Sequence, residues 1–124
     1  MPRRTSATLT DAEARLMHVL WDHGAATVAE VVDLVPGTPR PAYNTVLTLL
    51  RILERKGYVT HAKAGRAFIY SPQIPRAQAQ RRALAHLRSR LFGDSTTSLV
   101  QNLLSDEHLD ARELDELKRM IRKA

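Results

Sequence analysis

The stretch Pro41-Ala42-Tyr43-Asn44-Thr45-Val46-Leu47-Thr48-Leu49-Leu50-Arg51-Ile52-Leu53-Glu54-Arg55-Lys56-Gly57 decides the fold. At roughly 100° per residue it predicts one helix that gathers Ala42, Tyr43, Val46, Leu47, Leu49, Leu50 and Leu53 on a broad apolar arc. Asn44, Thr48, Arg51 and Arg55 fall on the opposite side, with Thr45 at its edge. The apolar arc must face a core. The polar side carries an amide, hydroxyls and guanidinium groups and no acid, which suits base edges and phosphates in a major groove. A plain solvated helix face is the alternative. Pro41 suits the first turn, where its missing N–H costs nothing, and Gly57 suits the end.

Two shorter helices are predicted upstream, each with its own start signal. In Thr10-Asp11-Ala12-Glu13 the threonine hydroxyl can accept from the backbone three residues on while the glutamate reaches back, a capping box. The helix it opens should bury Leu16, Met17, Leu20 and Trp21 and stop at Gly24. Thr27-Val28-Ala29-Glu30 repeats the device, and Val28, Val31, Val32 and Val35 follow as a helical stripe before Pro36-Gly37 ends it. Three helices with a tight second turn make a helix-turn-helix core.

After Gly57 the period shifts toward two. Tyr58 to Ala62 and Ala67 to Tyr70 are β-branched and aromatic runs around Lys63-Ala64-Gly65-Arg66, with a stop at Ser71-Pro72. This predicts a hairpin with Lys63 and Arg66 flanking its tip, a basic wing behind the third helix. Charge agrees. Residues 37 to 72 hold Arg40, Arg51, Arg55, Lys56, Lys63 and Arg66 against the single acid Glu54, whereas the first 36 residues hold more acids than bases. The positive field therefore lies on the third helix and the wing, where such a fold meets phosphates.

Composition sets outer limits. A chain of 124 residues with 44% hydrophobic content fits one domain, or a small domain with an appendage, of a water-soluble protein. A formal charge of +6 favours a polyanionic partner, with a role in solubility as the alternative. Cysteine is absent, so disulfide and thiolate chemistry are excluded. The opening Met-Pro-Arg-Arg-Thr-Ser has no apolar run behind it, and no stretch approaches bilayer length; the expectation is a cytoplasmic protein without membrane insertion. His18, His23, His61, His86 and His108 show no metal-ligand spacing and are read as helix or strand surface residues. No phosphate loop, nucleophile elbow or HExxH motif appears, so neither enzyme activity nor a cofactor is expected.

From Pro75 the character changes. Ala77, Leu84, Leu87 and Leu91 take heptad-like offsets on a helix whose other faces carry Arg76, Arg81, Arg82, Arg88 and Arg90. Leu99, Val100, Leu103 and Leu104 form a second stripe. Asp110 as N-cap, Glu113 at N3 and the Leu109/Leu114 staple open a last helix with Leu114, Leu117 and Ile121 on its apolar edge. Three amphipathic helices in so short a segment bury too little to stand alone. Either they take up a second copy, with Leu84, Leu87, Leu91, Leu99, Leu103, Leu114, Leu117 and Ile121 at the interface, or they fold back on the winged helix.

The order of elements resembles the penicillinase-repressor family (BlaI/MecI/CopY type) of bacterial winged-helix repressors. The resemblance rests on Leu9-Thr10-Asp11-Ala12-Glu13 with Leu20-Trp21, on Tyr43-Asn44-Thr45-Val46 with Thr48-Leu49-Leu50, and on Leu53-Glu54-Arg55-Lys56-Gly57-Tyr58. Gly65-Arg66-Ala67 with Tyr70-Ser71-Pro72, and Ser98-Leu99-Val100-Gln101-Asn102-Leu103, continue it. It implies a homodimeric repressor on inverted repeats of TACA/TGTA type. In β-lactam-responsive members it also implies a membrane sensor-metalloprotease that triggers cleavage within the dimerisation region, here at Asn102-Leu103. Three departures stand out. Arg51-Ile52 replaces the family's polar residue followed by Arg, which turns the guanidinium about 100° around the helix. The cysteine-rich tail of copper-responsive members is missing, and Asn102-Leu103 replaces the usual Asn-Phe bond.

These readings predict a mainly α fold with a small β-hairpin: a winged helix-turn-helix in residues 1 to 73 and a helical dimerisation region in residues 74 to 124. Asn44, Thr45 and Thr48 are assigned to base edges or the groove, and Arg51, Arg55, Lys63 and Arg66 to phosphates. Two alternatives stay open: a winged-helix regulator released by a ligand or partner protein, and a winged helix used for protein interaction, since fold does not fix function.

Overall fold

The structure, a computed structural model, describes residues 8 to 106 and 109 to 124; His108 lies outside them. In order, α1 (Asp11–His23), β1 (Ala26–Thr27), α2 (Val28–Leu34), α3 (Tyr43–Arg55), β2 (Val59–Ala64), β3 (Ala67–Pro72), α4 (Arg76–Leu91), α5 (Thr96–Asp106) and α6 (Ala111–Lys123) follow one another. The chain divides into two compact units, Met1–Leu84 and Ala85–Ala124.

Both expected capping boxes form. Glu13 N–H donates to Thr10 Oγ1 at 3.2 Å while Thr10 N–H donates to Glu13 Oε1 at 2.9 Å. Thr27 and Glu30 make the same exchange at 3.1 and 2.9 Å, and the bond from the Thr27 backbone N–H holds the Glu30 carboxyl below its ordinary range. Gly24 ends α1 with φ 91°, a left-handed value that costs a glycine little.

The second turn is longer than the sequence reading allows. The connection from α2 to α3 runs from Val35 to Ala42, and α3 starts at Tyr43 with Ala42 as N-cap, so Pro41 precedes the helix and does not open it. The prolines at 36, 39 and 41 keep the residues before them out of helical angles, as at Val35 (φ −64°, ψ 122°), and Ala42 is itself extended (φ −69°, ψ 150°), so helical geometry begins only at Tyr43.

The hairpin is present, and it has a third partner. β2 and β3 pair antiparallel from Val59↔Pro72 to Ala64↔Ala67, leaving Gly65 and Arg66 as a two-residue turn. Gly65 has φ 62°, the positive value required at the first central position of the primed turns that hairpins favour. β1 adds to the other edge of β3 through Ala26↔Tyr70 and Thr27↔Ile69, giving the order β1-β3-β2. Three helices with this small sheet, β1 between α1 and α2 and the hairpin after α3, make the winged-helix fold.

The core of the first unit joins Leu16, Met17 and Leu20 of α1, Val28 and Val31 of α2, and Val46, Leu50 and Leu53 of α3 to Tyr58, Val59 and Tyr70. Trp21 is half-buried, and its indole N–H donates to the Ile74 carbonyl at 2.9 Å. A buried ion pair closes the base: Lys56 Nζ lies 2.7 Å from Glu13 Oε1 and donates to the Thr8 carbonyl at 3.0 Å. Removing one partner of such a pair strands the other charge, which typically costs about 3–5 kcal/mol.

The second unit has little interior of its own. Among its described residues only Leu99 is buried, whereas Leu87, Leu91, Val100, Leu103, Leu104, Leu114, Met120 and Ile121 are exposed, Ile121 by 67%. Side-chain caps nonetheless open its last two helices. Ser95 Oγ accepts from Ser98 N–H at 3.0 Å to start α5, and Asp110 accepts from Glu113 N–H at 2.8 Å to start α6. α5 and α6 enclose an apolar hollow of about 540 Å³ whose walls include Leu103, Leu104, Leu114, Leu117 and Ile121. No helix among the described residues is long and apolar enough to cross a membrane.

Candidate nucleic-acid interface

Helix α3 is held by one face and open on the other. Val46, Leu50 and Leu53 are fully buried, Leu47 and Leu49 pack partly against the same core, and Asn44, Thr45, Thr48, Arg51 and Arg55 are exposed. The division matches the periodicity except at its first turn. Ala42 and Tyr43, which the arc assigns to the core, are exposed, Tyr43 by 53%. The later helix start explains this, because these residues lie where α3 is only beginning and has left the core behind.

Between α3 and the wing lies a hollow of about 740 Å³ lined by Thr48, Arg51, Glu54, Arg55, His61, Phe68 and Tyr70. It brings together three of the residues assigned to DNA, Thr48, Arg51 and Arg55. Asn44 and Thr45 lie one turn nearer the start of α3, and Lys63 and Arg66 are exposed at the end of the hairpin, outside this hollow. Arg51 lines the hollow while Ile52 is half-buried, so the order Arg51-Ile52 puts the guanidinium on the same open side as Thr48.

Charge in this region divides into two groups. Arg40 pairs with Asp33 at 3.0 Å, and Lys56 is spent inside on Glu13, so neither adds a free cation to the open face. Arg51, Arg55, Lys63 and Arg66 make no ion pair among the described residues. Exposed cations without a partner acid raise the local potential, which attracts a polyanion. The start of α3 contributes in the same sense. Where α1, α2 and α6 carry side-chain caps, Ala42 offers none, leaving the first backbone N–H groups and the positive end of the helix dipole open.

Three members of the hollow escaped the sequence reading. Glu54 is an acid beside a face read as acid-free; three residues from Arg51, it sits roughly 60° around the helix from it. His61 is not a bare surface residue, since its Nδ1 lies 2.7 Å from both Glu54 carboxylate oxygens. Phe68, 40% exposed, stands edge-on to the His61 ring with centroids 5.2 Å apart. Strand alternation was the available signal: His61 is paired with Tyr70 and Lys63 with Phe68, which puts all four on one face. Among the described residues no three His, Cys, Asp or Glu side chains gather as a metal site would need.

The model of the family described as "Penicillinase repressor" matches residues 9–123. The chain belongs to the penicillinase repressor family. That family consists of transcriptional repressors and not of enzymes. The penicillinase repressor of Bacillus licheniformis is 29% identical over 113 residues, covering 91% of this chain and 88% of that protein. The methicillin resistance regulatory protein MecI of Staphylococcus aureus (strain N315) is 21% identical over 115 residues, covering 93% and 94%. Among solved structures, the DNA binding domain of the repressor BlaI superposes with a TM-score of 0.52 at 32% identity, over 61% of this chain and 93% of that one. The shared part is the winged helix.

Proposed function

We propose that this chain is a cytoplasmic transcriptional repressor that binds double-stranded DNA through α3 and the wing, as a homodimer on an inverted-repeat operator. The observation that carries this reading is the set of four cations without an ion pair among the described residues, Arg51 and Arg55 on α3 beside Thr48 and Lys63 and Arg66 at the end of the wing. Membership of a repressor family supports it. Asn44, Thr45 and Thr48 are short enough to let α3 approach base edges, while the four cations hold phosphates on either side. A winged helix used only to dock protein has no need of this pattern.

Selection of bound sequences from a random duplex pool tests the reading directly. A palindromic site with half-sites about one helical turn apart, or a multiple of it, is the expected result. No enrichment at all would favour protein docking. On the selected site, Thr48→Ala and Asn44→Ala should each relax preference at particular base pairs by about 1–3 kcal/mol, whereas Arg66→Ala should weaken every sequence alike. Equal losses on all sequences for every variant would remove Asn44 and Thr48 from the reading face.

For release we propose proteolysis at Asn102-Leu103, set off by a membrane sensor-protease. Both residues are exposed on α5, and the cut would detach α6 with Leu114, Leu117 and Ile121 from the rest of the chain. The bond is helical, with Asn102 Nδ2 donating to the Ser98 carbonyl at 2.9 Å, so a protease needs local opening first. Mass spectrometry of the repressor from cells treated with a cell-wall antibiotic should find a fragment ending at Asn102. An intact repressor that has left its operator would point instead to a ligand or partner protein.

A further inference from the structure

The hollow between α3 and the wing holds an acid that DNA binding does not explain. Glu54 lines it together with Thr48, Arg51 and Arg55, and an uncompensated carboxylate there would repel the phosphates that the arginines attract. Neither arginine takes it as a partner. The group that does is His61 on β2, with Nδ1 at 2.7 Å from each carboxylate oxygen. The imidazole is held for this contact from its other side: Phe68 meets it edge-on at 5.2 Å and Tyr70 lies tilted against it at 5.4 Å. The pair therefore links the recognition helix to the wing.

We propose that His61 is a positioning residue for DNA binding, which in its protonated form neutralises Glu54 and leaves both arginine charges of the hollow uncancelled, so that binding takes up a proton here. The inference rests on the DNA-binding reading above. A neutral imidazole with its proton on Nδ1 still donates to Glu54, yet the pair then carries a full negative charge. An imidazolium makes the pair neutral and leaves the charges of Arg51 and Arg55 uncancelled. Approaching phosphates favour the protonated form, and by linkage the protonated form favours phosphates.

The surroundings identify the groups that could share the titration. From α3 the hollow receives Glu54, Arg51 and Arg55; from β3 it receives Phe68 and Tyr70; on β2 itself Lys63 follows His61 on the same face. Burial pushes the Tyr70 phenol up, so it stays neutral there. Affinity should fall as pH rises and the His61–Glu54 pair gives up its proton.

The test measures affinity of the full-length protein for its selected operator between about pH 5 and 8 at fixed salt, where an imidazole titrates. At the acid end, His61→Ala and His61→Gln should each bind about fivefold more weakly per half-site than wild type, the scale of one screened charge–charge term. Their pH dependence should be flatter than wild type. Glu54→Gln should bind more tightly than wild type at the alkaline end. In the Glu54→Gln background at neutral pH and above, where no carboxylate favours the proton on the imidazole, adding His61→Ala should cost less than twofold. An unchanged fivefold loss in that background would make His61 a direct contact or a structural prop and overturn the inference alone. So would a His61→Ala protein that binds as wild type does, with the same pH profile. A wild-type protein that selects no DNA would overturn the DNA-binding reading and this inference with it.

Discussion

Leu114→Asp and Ile121→Asp are each expected to turn a dimer into a monomer and to lower operator affinity by about 10²-fold or more. Both side chains are exposed on the isolated chain and line the apolar hollow between α5 and α6. If a second copy covers that surface, the new carboxylate is buried without a partner, which costs several kcal/mol. If nothing covers it, the carboxylate stays in water and little changes. The exposure of these positions makes the test clean, since a charge at a solvent-facing site of one chain leaves the winged helix folded. Two winged helices joined in a dimer bind as one ligand, so separating them removes the effective concentration that the second half-site enjoys. Sedimentation gives the oligomeric state, and titration of the selected operator gives the affinity. A wild-type monomer at micromolar concentration that still binds its operator tightly would defeat the dimer.

What sequence made legible was local. The Thr10/Glu13 and Thr27/Glu30 capping boxes, the stop at Gly24, the hairpin around Gly65 and the buried stripe Val46, Leu50 and Leu53 all follow from rules spanning a few residues, and all are present. What escaped depends on distance along the chain. β1 is two residues long and exists because Ala26 and Thr27 meet Tyr70 and Ile69 across the sheet; nothing in the pair itself signals a strand. The start of α3 lies at Tyr43, because Ala42, which the amphipathic pattern includes, takes an extended conformation as N-cap.

Charge shows the same limit more sharply. Counting cations between residues 37 and 72 ranks Lys56 with Arg66, although Lys56 is tied to Glu13, 43 positions away, and cannot reach a ligand on the open face. Glu54 is the single acid between residues 37 and 72, and seven residues on lies the His61 that pairs with it. Net charge is thus legible in sequence, whereas the charge that a partner feels is decided by which pairs the fold closes. The part of the candidate interface that composition did locate, Arg51, Arg55, Lys63 and Arg66, is the part the fold leaves unpaired.

That distinction fixes the second large effect, the response to salt. Each phosphate neutralised by a cation releases condensed counterions, so log affinity falls linearly with log salt with a slope near −0.9 per contact. Arg51, Arg55, Lys63 and Arg66 from each half of a dimer supply about eight contacts, within the range for which affinity drops roughly 10³- to 10⁵-fold between about 50 and 200 mM salt. Arg66→Ala should lower the slope by about two, one contact per protomer, and by the same amount on specific and random DNA. Arg40→Ala provides the contrast. Its guanidinium already has Asp33 as a partner at 3.0 Å, both side chains well exposed, so its removal should leave the slope where it was. Titrations of wild type and both variants over four salt concentrations decide the matter. If Arg40→Ala lowered the slope as much as Arg66→Ala, the division into paired and free cations would fail, and a near-flat wild-type slope would take phosphate binding with it.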